Sequence, residues 1–208
     1  MPRLRRLLLS IFPSTVLLAR AALAPSAAEV TPLPVGAAMP AVAVQAADGS
    51  SVDLAAASAG RLTLLVFYRG SWCPYCNKHL AALQEIEPQL LKLGFQILAV
   101  SPDEPAGLRT MAEKNRLNYR LLSDRAMRAS SALGLAFRVD AATVAKYREY
   151  KIDLPPVPGE PEARWLPVPA AYLIGRDGAV QFAHVNADYK IRVDTRELLA
   201  AARRAAAR

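Results

Sequence analysis

The spacing of hydrophobic and polar positions changes several times along the chain, and each change marks an element. Ala41 to Gln45 is strand-like, Asp48-Gly49 supplies a turn, and Ser51 to Leu54 alternates polar and apolar positions, which together predict a hairpin. Gly60 ends the connection, and Leu62 to Tyr68 is a continuous apolar run, as expected of a central strand covered on both faces. Leu80, Leu83, Ile86, Leu90 and Leu93 recur at spacings of three and four, which is one face of a long helix that Pro88 kinks and Gly94 ends. Phe95 to Val100 predicts a second buried strand, parallel to the first through a βαβ crossover. A helix over 105–115, a short strand over 119–122 and a helix from Asp124 to Leu133 follow.

Between Ala136 and Pro167 the rhythm breaks. Thr143 to Lys151 reads as helical, and Pro155, Pro156, Pro158, Pro161 and Pro167 forbid regular structure thereafter. This predicts a Pro-rich insert pinned to the body by Trp165 and Leu166. Ala170 to Ile174, a turn at Arg176-Asp177-Gly178 and Ala179 to Val185 predict a terminal hairpin, and Thr195 to Arg208 a last helix. Strands alternating with helices define an α/β domain with a central mixed β-sheet flanked by helices, over residues 39–208.

Residues 1–28 read as a secretory signal peptide: Arg3, Arg5 and Arg6, an apolar run from Leu7 to Ala19, then small residues. Ser26 and Ala28 place the cut after Ala28, and the chain is then exported, to the periplasm. As a retained anchor the run falls short of the roughly 20 apolar residues of a membrane span, and Pro13 and Arg20 interrupt it. Residues 29–38, rich in Pro and Ala, read as a linker. The leader's four arginines carry half of the net charge of +8. The other basic residues are scattered, which speaks against a nucleic-acid partner.

The only two cysteines, Cys73 and Cys76, stand at the join between the first buried strand and the long helix. A helix N-terminus favours an anion by about 0.3–2 kcal/mol, which lowers a thiol pKa by up to about 1.5. Cys73 is therefore the expected nucleophile. One turn on, Cys76 has its Cα about 5 Å away by helix geometry, within reach of a reversible disulfide. Pro74 suits the first helical turn, where its missing N–H would have had no partner. A structural zinc site would have only His79 and His184 to complete its ligands, and Asn77 stands where a haem-attachment motif needs histidine. An inert bridge over so short a loop would stabilise little. A redox use of the pair remains, with no metal and no cofactor.

The element order, with its CxxC and its proline before the last hairpin, resembles the thioredoxin fold. From about Gly36 to Leu199 the chain resembles the alkyl hydroperoxide reductase/thiol-specific antioxidant family, the peroxiredoxins, and in particular peroxiredoxin-like proteins with an FYRGxWCPYCN motif. The resemblance rests on Gly36 to Pro40, Asp48-Gly49, Phe67 to Asn77, Ile97 to Asp103, Leu121 to Asp124 and Pro167 to Gly178. Cys73-Pro74-Tyr75-Cys76 is similar also to the dithiol glutaredoxin core. Val168-Pro169 stands where thioredoxin-fold proteins keep a cis-proline, which implies a cis bond and contact of Pro169 with substrate. The substrate-binding set implied is Arg69, Trp72, Pro74, Tyr75, Val168 and Pro169.

Four positions depart from these families. Gly70 and Val66 stand where peroxiredoxins place Thr or Ser and a proline ahead of the reactive cysteine, and Pro169 stands in place of a late arginine, a role open to Arg69. Phe67 replaces the buried acid of thioredoxins, so no base is evident for Cys76. His79 is a candidate for tuning the pair or a plain surface residue. Asp188-Tyr189 and Arg192 recur in the proteins resembled, without an assignable role. Two reactions stay open: reduction of a small hydroperoxide through a Cys73 sulfenic acid resolved by Cys76, or exchange with protein disulfides. Either requires a thioredoxin-like or other thiol electron donor.

Overall fold

Strand β3 (Leu62–Phe67) decides the architecture, because its residues alternate between two faces and both are covered. Leu62, Leu64 and Val66 join one apolar cluster, and Leu65 and Phe67 join another. In the computed structural model, which describes residues 23–207, β3 is an inner strand, third in a seven-stranded sheet. Its parallel neighbours are β4 (Phe95–Ser101) and, beyond it, β5 (Arg120–Ser123). Strand β9 (Ala170–Ile174) runs antiparallel on its other side, followed by β10 (Val180–Val185). The hairpin of β1 (Ala43–Gln45) and β2 (Ser51–Asp53) closes the sheet beside β5.

On one face, Leu80, Leu83 and Leu90 of α2 (Pro74–Lys92), Leu108 and Met111 of α3 (Pro105–Asn115) and Leu198 and Ala202 of α6 (Thr195–Ala206) cover the sheet. On the other lie Leu54 of α1 (Leu54–Ser58) and Ala129 of α4 (Arg128–Ala132). Each leucine so buried stabilises the fold by roughly 1.5–3 kcal/mol. This is the α/β, thioredoxin-like arrangement that the chain order predicts. Helix α1 was absent from the expectation, although its signals are present: the Asp53 carboxylate accepts from the Ala56 N–H at 2.8 Å, and alanines follow. Helix α2 continues through Pro88 to Lys92.

The Pro-rich insert requires a correction. Residues 156–157 form β7 and Glu160–Pro167 form β8, which pairs with β6 (Ala136–Val139) to make a three-stranded sheet. The prolines are tolerated because they fall at strand ends or where the register shifts, as between Pro156 and Val157. Between them, Ala163 and Trp165 face one cluster and Leu166 the other, an alternation masked by the prolines around it. Helix α5 (Ala141–Glu149) connects β6 to β7 and begins two residues before its expected start, capped by Asp140.

Most of the expected leader, residues 1–22, lies outside the described residues. Leu23 packs beside Met127 and Trp165, and the Ala24 carbonyl accepts from the Arg138 N–H at 2.8 Å. The stretch read as a linker lies against the domain: Gly36 N–H donates to the Val180 carbonyl, and Val180 N–H to that of Ala37. No helix among the described residues is long and apolar enough to cross a membrane.

Candidate active site

The C-terminal ends of β3, β4 and β5 lie side by side, and the loops leaving them are tied together by one carboxylate. Asp103, after β4, accepts from the Ser71 N–H at 2.8 Å, from the Ser71 hydroxyl at 3.1 Å and from the Ser101 hydroxyl at 2.9 Å. Its own carbonyl accepts from Ser123 of β5 at 2.6 Å. Asn77, on the first turn of α2, donates to the Ser71 carbonyl at 2.9 Å. The loop carrying the cysteines is thus held at both ends.

Within it, Gly70 has φ of +146°, and a Cβ there would lie 3.0 and 3.1 Å from Cδ1 and Cε2 of the Trp72 indole and closer still to Nε1. The physical reason why glycine, and not Thr or Ser, stands at this position is therefore local. Trp72 fills the space that a side chain at position 70 would need, and the backbone suits only glycine.

Cys73 is the N-cap of α2, and its carbonyl already accepts from Cys76 and Asn77 at 3.1 and 3.0 Å. Both cysteines are fully buried free thiols. The two sulfurs share one proton unequally. The hydrogen bond from the Cys76 thiol brings the Cys73 pKa down to about 6, helped by the Cys76 N–H and the charges of Arg69 and Arg192, against the opposing effect of burial. The same hydrogen bond, with burial and the Cys73 charge, pushes Cys76 up. Cys73 is thus the more acidic thiol of the pair, the one the sequence analysis expects to attack.

Arg69 is only 5% exposed and rests among aromatic rings. Its guanidinium carbon lies 3.9 Å from the centroid of Tyr189, 4.9 Å from that of Trp72 and 5.7 Å from that of Tyr147. It also donates to the Tyr147 hydroxyl. Trp72 meets Tyr147 at 5.1 Å, and Tyr75 meets Tyr189 edge-on at 5.7 Å. A cavity of about 170 Å³ opens beside Arg69 and Trp72, bordered by Asp103, Arg125, Asp153 and Leu154. Of the predicted substrate-binding residues, Arg69, Trp72 and Tyr75 come together, and Pro74 is the exposed first residue of α2.

Val168 and Pro169 differ from expectation. No peptide bond among the described residues is cis, so Val168–Pro169 is trans. The chain here crosses in extended form from β8 in the small sheet to β9 in the large one, and the Val168 N–H donates to the Leu135 carbonyl at 2.9 Å. Without a tight turn, nothing offsets the cost of a cis bond. Pro169 still lies at the sheet end from which the cysteine loop leaves, since Phe67 pairs with Ala170.

His79 is buried, not on the surface, and its pKa falls to about 4 through desolvation, with smaller contributions from Arg192 and His184. It is neutral at pH 7, and its Nε2 has no partner. Arg192, in the loop between β10 and α6, places Nη2 3.5 Å from Cys76 Sγ. Sequence reasoning missed Tyr147, Asp103 and the contact of Arg192. Tyr147 lies in the insert, where no motif marks it, and the other two act through neighbours distant in sequence. Among the described residues, no group of three or more His, Cys, Asp or Glu side chains is placed to hold a metal.

Residues 35–183 match the model of the AhpC/TSA family. Peroxiredoxin Bcp of Escherichia coli strain K12 is 34% identical over 95 residues, 46% of this chain and 60% of the relative. The chloroplastic peroxiredoxin Q of Gentiana triflora is 32% identical over 77 residues, 37% of this chain and 35% of the relative. The matched part of the chain thus spans about three fifths or less of these relatives' length. Among solved structures, Xanthomonas campestris peroxiredoxin Q superposes with a TM-score of 0.63 at 20% identity, over 84% of this chain and 97% of that one. Reduced Prx3 of Vibrio vulnificus in complex with hydrogen peroxide gives 0.66 at 20%, over 82% and 99%. At that identity the likeness concerns the fold.

Proposed function

The chain belongs to the AhpC/TSA family, and from its buried, unequal dithiol we propose that it is a thiol peroxidase in which Cys73 attacks a small hydroperoxide and Cys76 resolves the product. The Cys73 thiolate takes the distal oxygen, giving a sulfenic acid and, once the leaving alkoxide or hydroxide is protonated, an alcohol or water. Cys76 then displaces water to close the disulfide, and an external dithiol of the thioredoxin type reopens it. The observation that carries this reading is the placement of two buried free thiols, with Cys73 at the N-terminus of α2 and its pKa lowered chiefly by the Cys76 thiol. Arg69 replaces the family's late arginine as the cation above the loop.

Two further observations favour a small oxidant over a protein disulfide. Both sulfurs are buried, and the Val168 N–H, which a docking peptide strand would use, already donates to Leu135. A side-by-side rate measurement on one reduced sample tests the choice. Hydrogen peroxide is expected to oxidise Cys73 far faster than it oxidises a free thiol of matched pKa, and Cys76→Ser to leave a sulfenic acid that a dimedone-type probe captures. A peroxide rate equal to that of the free thiol, with mixed disulfides accumulating in Cys76→Ser, would establish disulfide exchange instead.

Export belongs to the same proposal, on the strength of the basic and then apolar pattern of residues 1–28. A cut after Ala28 would remove the Ala24 bond to Arg138, whereas a cut ahead of Leu23 would keep it. N-terminal sequencing of the periplasmic fraction distinguishes the two, and a chain found wholly in the cytoplasm rejects export.

A further inference from the structure

Two hydrogen-bonded sulfurs in a buried site can hold one negative charge between them far more readily than two. In the reduced protein that charge is on Cys73, which has the helix N-terminus, the Cys76 N–H and the Cys76 thiol to stabilise it. Resolution requires the opposite arrangement. Cys76 must become the nucleophile, yet position 67, where thioredoxins keep a buried acid, is Phe67, which is itself buried in the apolar core.

A counter-charge for a Cys76 thiolate is nevertheless at hand. Arg192 Nη2 lies 3.5 Å from Cys76 Sγ, and the guanidinium has no carboxylate at ion-pair distance among the described residues. Nη1 is occupied by the carbonyls of Tyr189 and Ile191, which orient the group, and Nε has no partner. His79 on α2 and His184 on β10 lie within the influence of Arg192, and burial keeps both toward the neutral form. Glu197 of α6 acts on His184. The cationic charge of Arg192 is therefore not neutralised by a partner and is aimed at the second sulfur.

Resting on the peroxidase reading, we propose that Arg192 is a catalytic residue for resolution: it receives the negative charge on Cys76 once Cys73 has been oxidised. When the Cys73 thiolate attacks a hydroperoxide, the S–O bond forms, the O–O bond breaks and the leaving alkoxide takes a proton. Cys73 is then neutral, and the anion that held the Cys76 proton in place is gone. With Arg192 beside it, Cys76 ionises and attacks Cys73. The S–S bond forms, the S–O bond breaks, and the departing hydroxide leaves as water with the proton that Cys76 released. In reopening, a thiolate of the donor dithiol attacks Cys73, and Cys76 departs as a thiolate onto the same guanidinium. The donor's second thiol then displaces Cys73, so that the donor ends as a disulfide and both protein thiols are restored. A charge-assisted contact of this kind is worth about 10- to 100-fold in rate.

The experiment compares wild type, Arg192→Gln and Arg192→Lys in two arms. In single turnover with one equivalent of hydrogen peroxide, Arg192→Gln is expected to keep the Cys73 sulfenic acid about 10- to 100-fold longer and to form sulfinic acid at lower peroxide. Its first step should slow much less, and Arg192→Lys should recover part of the loss. In the second arm, the Cys73–Cys76 disulfide is made with diamide and reopened with dithiothreitol, which involves no peroxide. Arg192→Gln should reopen at least about tenfold more slowly. A wild-type first step no faster than a free thiol would reject the peroxidase reading, while the second arm still reports on Arg192. Equal slowing of formation and resolution in Arg192→Gln, or wild-type rates in both arms, would overturn the proposal in favour of a purely structural role. Should Arg192→Gln fail to fold, Arg192→Lys decides, since a shorter cation set back from Cys76 must slow resolution and reopening more than the first step.

Discussion

Arg69 and Tyr189 meet with the guanidinium carbon 3.9 Å from the ring centroid, although they lie 120 positions apart in sequence. Arg69 leaves the end of β3 almost wholly buried, and no carboxylate among the described residues pairs with it, so the rings of Tyr189, Trp72 and Tyr147 compensate its desolvation. Such contacts contribute about 0.5–2 kcal/mol each when shielded from water. Arg69→Met is expected to raise the Cys73 pKa, since the Arg69 charge lowers it, and to slow oxidation by peroxide at pH 6 by roughly tenfold. Ultraviolet thiolate absorbance against pH, with stopped-flow rates, checks this. Tyr189→Leu should produce a smaller change of the same sign.

The unequal dithiol sets a pH dependence. With Cys73 at about 6, the thiolate is near its full population at pH 7, and the oxidation rate should rise through pH 6 and level off above it. Cys76→Ser weakens the largest cause of that depression, so its profile should move to higher pH. Stability follows the same sign. The folded value lies below the unfolded one of about 8.5, so the reduced protein gains stability as pH rises from about 6 to about 8.5 and loses that contribution as pH falls through 6. Urea titrations of the reduced protein across this range measure it.

His79 produces a separate acid limb. Its folded pKa of about 4 is below the unfolded value of about 6.5, so the unfolded chain takes up a proton first as pH falls. The contribution is complete above about pH 6.5 and diminishes toward pH 4, by roughly 2–3 kcal/mol. His79→Leu should flatten that part of the stability curve, and an unchanged slope would place the acid sensitivity elsewhere.

Pro169→Ala tests the correction at the sheet end. Because the preceding bond is trans and the Val168 N–H is already paired, the substitution should change peroxide turnover by no more than about twofold, or about 0.4 kcal/mol. A large rise in KM would mean that Pro169 touches substrate after all.

What could be read from the sequence and what could not divide along a physical line. The β3 run, the face of α2 and the two cysteines are local patterns, and they predict the mixed sheet, the helix start at Pro74 and the place of the cysteine pair. Strand β8 was missed because its alternation spans only four residues between prolines whose positions at the strand ends are visible only once β6 is beside them. The counter-charge of Cys76 was missed because Arg192 reaches it across 116 positions of chain, and no spacing rule encodes such a contact. Proline at 169 suggested a cis bond by family likeness, while its isomer is decided by how two sheets are joined.

The fit of Trp72 against Gly70 also restricts the routes by which this loop can change. A threonine at position 70 would need both the removal of the indole and a backbone rotated away from φ of +146°, so neither substitution alone reaches the other arrangement. Each single step loses packing before any hydroxyl can be used. The glycine at 70 and the tryptophan at 72 are thus a matched pair, and a change at either position calls for a change at the other.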